Sequence, residues 1–118
     1  MSTFSRVARS ASWRFSFSLF TPDAATGVDG PYVGAAVSAW LSATDGGATM
    51  GTTTNLTEES GNPGTYAGAM TKAQVASDLV ASGVADGATV YEVCQLPDGS
   101  RLSNPLTVVA AARMRIAR

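Results

Sequence analysis

Glu58 and Glu59 are the side chains in this sequence that come closest to a catalytic pattern. Paired carboxylates perform acid–base chemistry when they face each other across a substrate, as in glycosidases. Adjacent residues in a loop seldom face each other, and residues 58–64 have the polar, turn-forming composition of a loop. The chain also contains no histidine, which removes the commonest general base and the serine and cysteine triads that depend on it. The sequence therefore predicts a protein that is not an enzyme.

Cofactor and metal sites are not predicted either. Asp23, Asp29 and Asp45 could meet at one end of a sheet as oxygen ligands for calcium, but their spacing is not that of a dedicated calcium loop. Lys72, the single lysine, does not follow a glycine-rich phosphate-binding pattern. Cys94 is the single cysteine, which excludes an internal disulfide and favours a buried, small apolar residue.

The charged residues are distributed unevenly along the chain. All nine acidic residues lie between Asp23 and Asp98, whereas six of the eight basic residues lie near the two ends. The interior holds nine acids against two bases, Lys72 and Arg101, which is a net charge of −7. Basic ends can be solvated tails, or they can dock on acidic protein surfaces or phosphates. Because the acidic interior would repel phosphate, we expect protein partners and no nucleic acid.

Alternating apolar residues predict the elements that would hold these groups in place. Trp13, Phe15, Phe17 and Leu19 alternate with polar residues, which is the period of a strand with one buried face. The same alternation, or a threonine-rich composition, predicts strands within residues 32–42, 48–56, 65–70, 89–96 and 101–109. Residues 96–100 have the composition of a hairpin turn between the last two strands. Pro105 predicts an edge or a bulge in the last strand.

One short helix is predicted after the fourth of these strand segments. Thr71 and Gln74 have the spacing of a capping box, and Gly83 is the expected stop. Val75, Leu79 and Val80 are expected to pack against the sheet.

The resulting fold class is all-β, with an antiparallel Ig-like or Greek-key β-sandwich of six or seven strands, one short helix and extended termini. The predicted domain spans residues 12–109, between basic arms at residues 1–11 and 110–118. No apolar run has the length of a membrane span or a secretory signal, so we expect a protein made and kept in the cytoplasm, with no membrane partner.

Trp40 leaves two interpretations open. It lies on the outer face of its predicted strand, opposite the apolar face formed by Val37, Ala39 and Leu41. It is therefore either packed under a loop or exposed as an anchor for a partner, since an indole combines a large apolar area with a polar tip.

Four segments resemble small Ig-like proteins and modules of tailed-phage particles: residues 13–23 (WRFSFSLFTPD), 37–42 (VSAWLS), 57–66 (TEESGNPGTY) and 70–75 (MTKAQV). The resemblance covers about residues 13–109, and it is one of composition and element order. It implies a virion component made in the host cytoplasm, most simply a capsid decoration or head-associated structural protein. The alternative that it implies is a piece of tail, baseplate or fibre.

Docking through the arms is the mechanism that we predict for such a component. Arginines would pair with acidic surfaces of capsid or tail subunits, and apolar residues would anchor the contact in an assembly subunit or homo-oligomer. In the alternative, a carbohydrate-binding or host-binding module would use the aromatic side chains of Tyr32 and Trp40. The predicted partner-binding residues are Phe4, Arg6, Val7, Arg9, Trp40, Arg113, Met114, Arg115, Ile116 and Arg118.

Overall fold

A computed structural model describes residues 5–8, 11–22 and 29–109 of the chain. This part of the chain is mostly β, as the alternating pattern predicts, with nine strands and one helix. The elements are β1 (Ser5–Ala8), β2 (Trp13–Ser18), β3 (Phe20–Pro22), β4 (Asp29–Pro31), β5 (Val37–Ser42), β6 (Thr54–Glu58), β7 (Thr65–Met70), α1 (Lys72–Ala81), β8 (Thr89–Gln95) and β9 (Arg101–Val109).

Seven of the strands form one sheet in the order β1-β9-β8-β5-β6-β7-β2, which curls until it is nearly closed into a barrel. The neighbouring strands are antiparallel except for β1 and β9, which are parallel. Strand β6 joins the two halves of the sheet, because residues 54–56 pair with β5 and residues 57–58 pair with β7. Strands β3 and β4 form a separate hairpin.

The core fills the inside of this curled sheet. Phe15 and Phe17 are buried there as predicted, with their rings stacked at a centroid distance of 6.3 Å. Burial of each such side chain contributes about 1.5–3 kcal/mol. The core is completed by Val7, Leu19, Val37, Ala39, Leu41, Leu56, Tyr66, Met70, Val75, Leu79, Val90, Cys94, Leu106 and Val108.

Helix α1 begins where the sequence predicts. The Thr71 hydroxyl accepts a hydrogen bond from the Gln74 backbone N–H, and the Gln74 side chain accepts one from the Thr71 backbone N–H, which completes the capping box. Val75 and Leu79, one turn apart, are buried, but Val80 is 64% exposed, so the prediction that it packs against the sheet is wrong. No helix within the described ranges is both long enough and apolar enough to span a membrane.

The first strand corrects the predicted N-terminal arm. Ser5–Ala8 are not a projecting basic segment, because they pair with β9 and place Val7 opposite Val108. Val7 is fully buried in the core and is therefore not an accessible docking residue. Arg6, which precedes Val7 on the same strand, has an exposed side chain. Within the described part of the chain, the sheet thus begins at residue 5 rather than near residue 12.

Two predicted strands are shorter in the structure. Residues 32–36 and 48–53 lie in loops, so that β5 begins at Val37 and β6 at Thr54. The second loop is held by the buried Asp78 of α1, whose carboxylate accepts hydrogen bonds from the Thr52 N–H and hydroxyl, both at 3.1 Å. Strand β9 continues through Pro105 without a break. Its pairing with β1 begins only at Leu106, so no residue of β1 needs the N–H that proline lacks.

Candidate docking surface

Four side chains at one end of the sheet line an open pocket of about 180 Å³. They are Phe20, Tyr32, Leu96 and Asp98, and we call them the end surface. Phe20 is 65% exposed although it is a large apolar residue, and Val33, next to Tyr32 in the chain, is 56% exposed. Tyr32 and Leu96 are half-buried against the core. An exposed aromatic ring beside further apolar side chains at the rim of a fold commonly marks a binding site for another protein.

The hairpin of β3 and β4 positions Phe20. Leu19 lies in the core, so the following side chain must point away from it, because successive residues of an extended chain face opposite sides. Phe20 pairs with Pro31, and the Tyr32 N–H donates to the Leu19 carbonyl at 2.9 Å. The hairpin is therefore anchored to the end of β2.

Tyr66 fixes the loop that carries Tyr32. The Tyr66 ring is fully buried, and its hydroxyl donates to the Tyr32 carbonyl at 2.6 Å while accepting the Ala35 N–H at 3.0 Å. A buried hydroxyl that makes both bonds holds two points of the loop in one position. The loop therefore presents Tyr32 and Val33 on a fixed backbone.

Glu58 fixes the same loop from its other side. One carboxylate oxygen accepts the Gly34 N–H and the other accepts the Gly64 N–H, both at 2.9 Å. These two bonds hold the pKa of Glu58 below its usual range. Glu59 turns instead to Arg14, at 3.2 Å in an ion pair near solvent. The two adjacent carboxylates thus have separate structural partners.

The turn between β8 and β9 supplies Leu96 and Asp98. The Leu96 N–H donates to the Ser100 carbonyl, and the Gly99 N–H donates to the Leu96 carbonyl, both at 2.9 Å, which confirms the predicted hairpin. The Asp98 carboxylate accepts bonds from the Ser100 N–H and hydroxyl, and these lower the pKa of Asp98. No basic residue in the described ranges forms an ion pair with Asp98. Its negative charge therefore stands at the rim of the apolar pocket.

Trp40, by contrast, is not available to a partner. Its side chain is 6% exposed, and its indole N–H donates to the Gly47 carbonyl at 2.8 Å. The Arg101 guanidinium lies over the ring at 4.9 Å from its centroid and also donates to the Gly46 carbonyl at 3.0 Å. The interpretation that Trp40 packs under a loop is confirmed, and the ring does not form the exposed anchor that the other interpretation required.

The remaining predicted docking residues fall into two groups. Arg6 is exposed on β1, on the opposite face of that strand from Val7. Phe4, Arg9, Arg113, Met114, Arg115, Ile116 and Arg118 lie outside the described residues. Of the end surface, the sequence predicted only Tyr32, as a carbohydrate-binding residue, although a signal for Phe20 was also present. Leu19 and Phe20 are two bulky apolar neighbours in an extended segment, and only one of them can face the core.

A second group of polar side chains lies on the inner face of the sheet. Glu92 of β8 pairs with Leu41 on one side and Asn104 on the other. Burial raises the pKa of Glu92, and hydrogen bonding from the Trp13 indole and the Asn104 amide offsets only part of that effect. The Trp13 N–H is buried without a well-aligned acceptor among the described residues, so its contact with Glu92 is weak.

Cys94 lies two residues further along the same face and is fully buried. Burial, followed by the nearby charge of Glu92, raises the pKa of the Cys94 thiol to about 11. The thiol is therefore protonated at neutral pH and is a poor nucleophile.

The described residues contain no cluster of three or more side chains suited to hold a metal ion.

Replacing Glu92 with glutamine is expected to stabilise the protein at pH 7. A carboxyl whose pKa is raised by folding costs stability as the pH rises above the ordinary value of 4.5, and the neutral amide avoids that cost. Urea unfolding of both proteins should show a difference at pH 7 that shrinks toward zero as the pH falls to 4.5 and below.

Asp98→Asn provides the control with the opposite sign. Folding lowers the pKa of the Asp98 carboxyl, so the charged form favours the native state. The variant lacks this charge and should be less stable than the parent at pH 7. An Asn variant that is stabilised, or a Gln variant whose advantage does not depend on pH, would contradict these assignments.

Comparison of the chain with protein-family models, with curated proteins and with solved structures finds no match. The clearest feature of the molecule is the end surface, where three separate segments of the fold bring Phe20, Tyr32, Leu96 and Asp98 to one pocket.

Proposed function

We propose that this chain is a non-enzymatic structural protein that binds other proteins, and that the end surface is one of its docking sites. The observation that carries the proposal is the exposure of Phe20, at 65%, in a pocket with Tyr32 and Leu96. Ordering a mobile loop on binding costs conformational entropy. The bonds from Tyr66 and Glu58 reduce that cost by holding the Tyr32 loop in place beforehand.

The fold that we propose is an Ig-like β-sandwich. The group β5-β8-β9 corresponds in order and direction to the C, F and G strands of that fold, and the group β6-β7-β2 corresponds to D, E and B. Strand β6 would then be the segment that passes from one sheet to the other. Ig-like domains place their loops at the two ends of the sandwich, and the end surface is built from such loops.

The setting that we propose is a bacteriophage virion, as a capsid decoration or head-associated protein. It follows from the resemblance of residues 13–109 and from the basic segments at both ends of an acidic chain. The carbohydrate-binding alternative relied on Tyr32 and Trp40 as exposed aromatic residues. Trp40 is buried and Tyr32 is half-buried, so neither ring is the fully exposed one that this alternative requires.

Particle incorporation tests this proposal. A tagged copy of the chain would be expressed in a host that is then infected by a phage that encodes the chain. The purified particles would be analysed by quantitative mass spectrometry. We expect the tagged chain in the particles, and we expect Phe20→Ser to reduce its amount by about 10-fold, as the loss of one buried aromatic anchor predicts.

Val80→Ser is the matched control, because Val80 is 64% exposed but lies on α1 and not on the end surface. It should be incorporated as the parent is. Absence of the tagged parent from particles, or equal incorporation of the two variants, would overturn the proposal.

A further inference from the structure

We propose that the occupant of the end surface is the C-terminal segment, residues 110–118, of a second copy of this chain. This inference rests on the proposed docking role and names the partner. It follows from the position of the end surface along β9, from the reach of the segment and from the chemistry of both.

The end surface and the last described residue lie at opposite ends of one strand. Leu96 and Asp98 belong to the turn that precedes β9, and Val109 ends that strand. The Cα atoms of Arg101 and Val109 are the two ends of β9, and the steps between them, at about 3.3 Å each, put them roughly 26 Å apart. The C-terminal segment therefore starts at the far end of the molecule from the pocket.

The segment is too short to place Met114 in the pocket of its own chain, and it would bring Ile116 close only with every intervening residue fully extended back along β9. Met114 is five residues beyond Val109, and Ile116 is seven residues beyond it. Fully extended chain spans at most about 3.6 Å per residue, so these residues reach no more than about 18 Å and 25 Å. Both distances are shorter than β9 itself. A neighbouring copy is free of this restriction.

The composition of the segment complements the end surface. Residues 113–118 read Arg-Met-Arg-Ile-Ala-Arg, with apolar side chains between cations. The end surface offers Phe20, Tyr32 and Leu96 as apolar contacts and the charged Asp98 at its rim. Met114 or Ile116 would enter the pocket, and an adjacent arginine would pair with the Asp98 carboxylate.

The contact joins two different surfaces, so the assembly is head to tail. Each copy offers one end surface and one C-terminal segment, and such heterologous contacts continue until they close a ring or form a filament. This is the geometry of a repeating structural subunit.

Sedimentation velocity on the full chain tests the inference. The parent should form species larger than a monomer as its concentration rises. Phe20→Ser should weaken association by about 10-fold or more, and the double variant Met114→Ser/Ile116→Ser should weaken it similarly. Asp98→Asn should weaken it by up to about 5-fold and reduce its salt dependence. Val80→Ser should associate as the parent does.

Mixing the two defective proteins gives the sharpest test. Phe20→Ser keeps an intact C-terminal segment, and the double variant keeps an intact end surface, so one productive contact remains between them. At a concentration at which each variant alone is monomeric, the mixture should form a heterodimer and nothing larger. Protection of Cys94 from alkylation confirms that each variant is folded.

A monomeric parent, or a mixture without heterodimer, would overturn the inference. If such a monomer were still incorporated into particles in a Phe20-dependent way, the proposed function would stand, and the occupant would be another virion protein. If head-to-tail association occurred but the chain were absent from particles, this inference would stand and the virion setting would fail.

Discussion

Replacing Gly64 with alanine is expected to lower the free energy of unfolding by about 2–4 kcal/mol. Gly64 has φ +84°, a conformation that residues with a side chain rarely adopt. A Cβ atom there would lie 2.8 Å from the Pro31 Cβ and 2.9 Å from the Leu19 carbonyl oxygen. Both neighbours are held by the β3–β4 hairpin and the end of β2, so the backbone would have to move. Urea unfolding followed by tryptophan fluorescence measures the loss.

The same substitution should weaken docking, because Gly64 bonds to both supports of the end surface. Its N–H donates to Glu58 at 2.9 Å, and its carbonyl accepts the Leu19 N–H at 2.8 Å. Gly61→Ala is the control within the same loop, since its Cβ would meet nothing within 4 Å and its φ is not positive. It should change stability by less than about 0.5 kcal/mol. Equal effects of the two substitutions would contradict the role given to Gly64.

Local patterns account for the parts of the fold that the sequence predicts well. The alternation of Trp13, Phe15 and Phe17 depends only on the two-residue period of a strand, and β2 follows it. The capping box at Thr71 and the turn at residues 96–100 likewise involve contacts within a few residues. In each case, contacts between residues that are close together in the sequence determine the structure.

Pairings between distant residues explain what the sequence did not predict. Strand β1 forms because residues 5–8 pair with residues 106–109, about a hundred positions away. A segment of four residues is too short for its apolar alternation to predict a strand. The end surface has the same origin, since Phe20, Tyr32 and Leu96 come from three separate segments. Trp40 was ambiguous because its cover, Arg101 and the loop at residues 46–47, belongs to other elements.

Strand β1 also changes what an N-terminal deletion would mean. Removing residues 1–11 would take away a strand with its buried Val7 and would leave the outer edge of β9 unpaired at residues 106–109. Loss of partner binding in such a deletion would then reflect damage to the fold. Single substitutions on β1 separate the two effects.

Val7→Asp is expected to lower the free energy of unfolding by at least about 4 kcal/mol, enough to unfold most of a marginally stable domain. The substitution removes a fully buried side chain that faces Val108 and puts an unpaired carboxylate in its place. Arg6→Asp, one residue earlier, introduces the same charge on an exposed position of the same strand and should change stability by less than about 0.5 kcal/mol. Urea unfolding, together with alkylation of Cys94 as a probe of core exposure, measures both. Two variants that unfold at the same urea concentration as the parent would show that residues 5–8 are a free arm after all, because a solvated segment is insensitive to which of its side chains carries the charge.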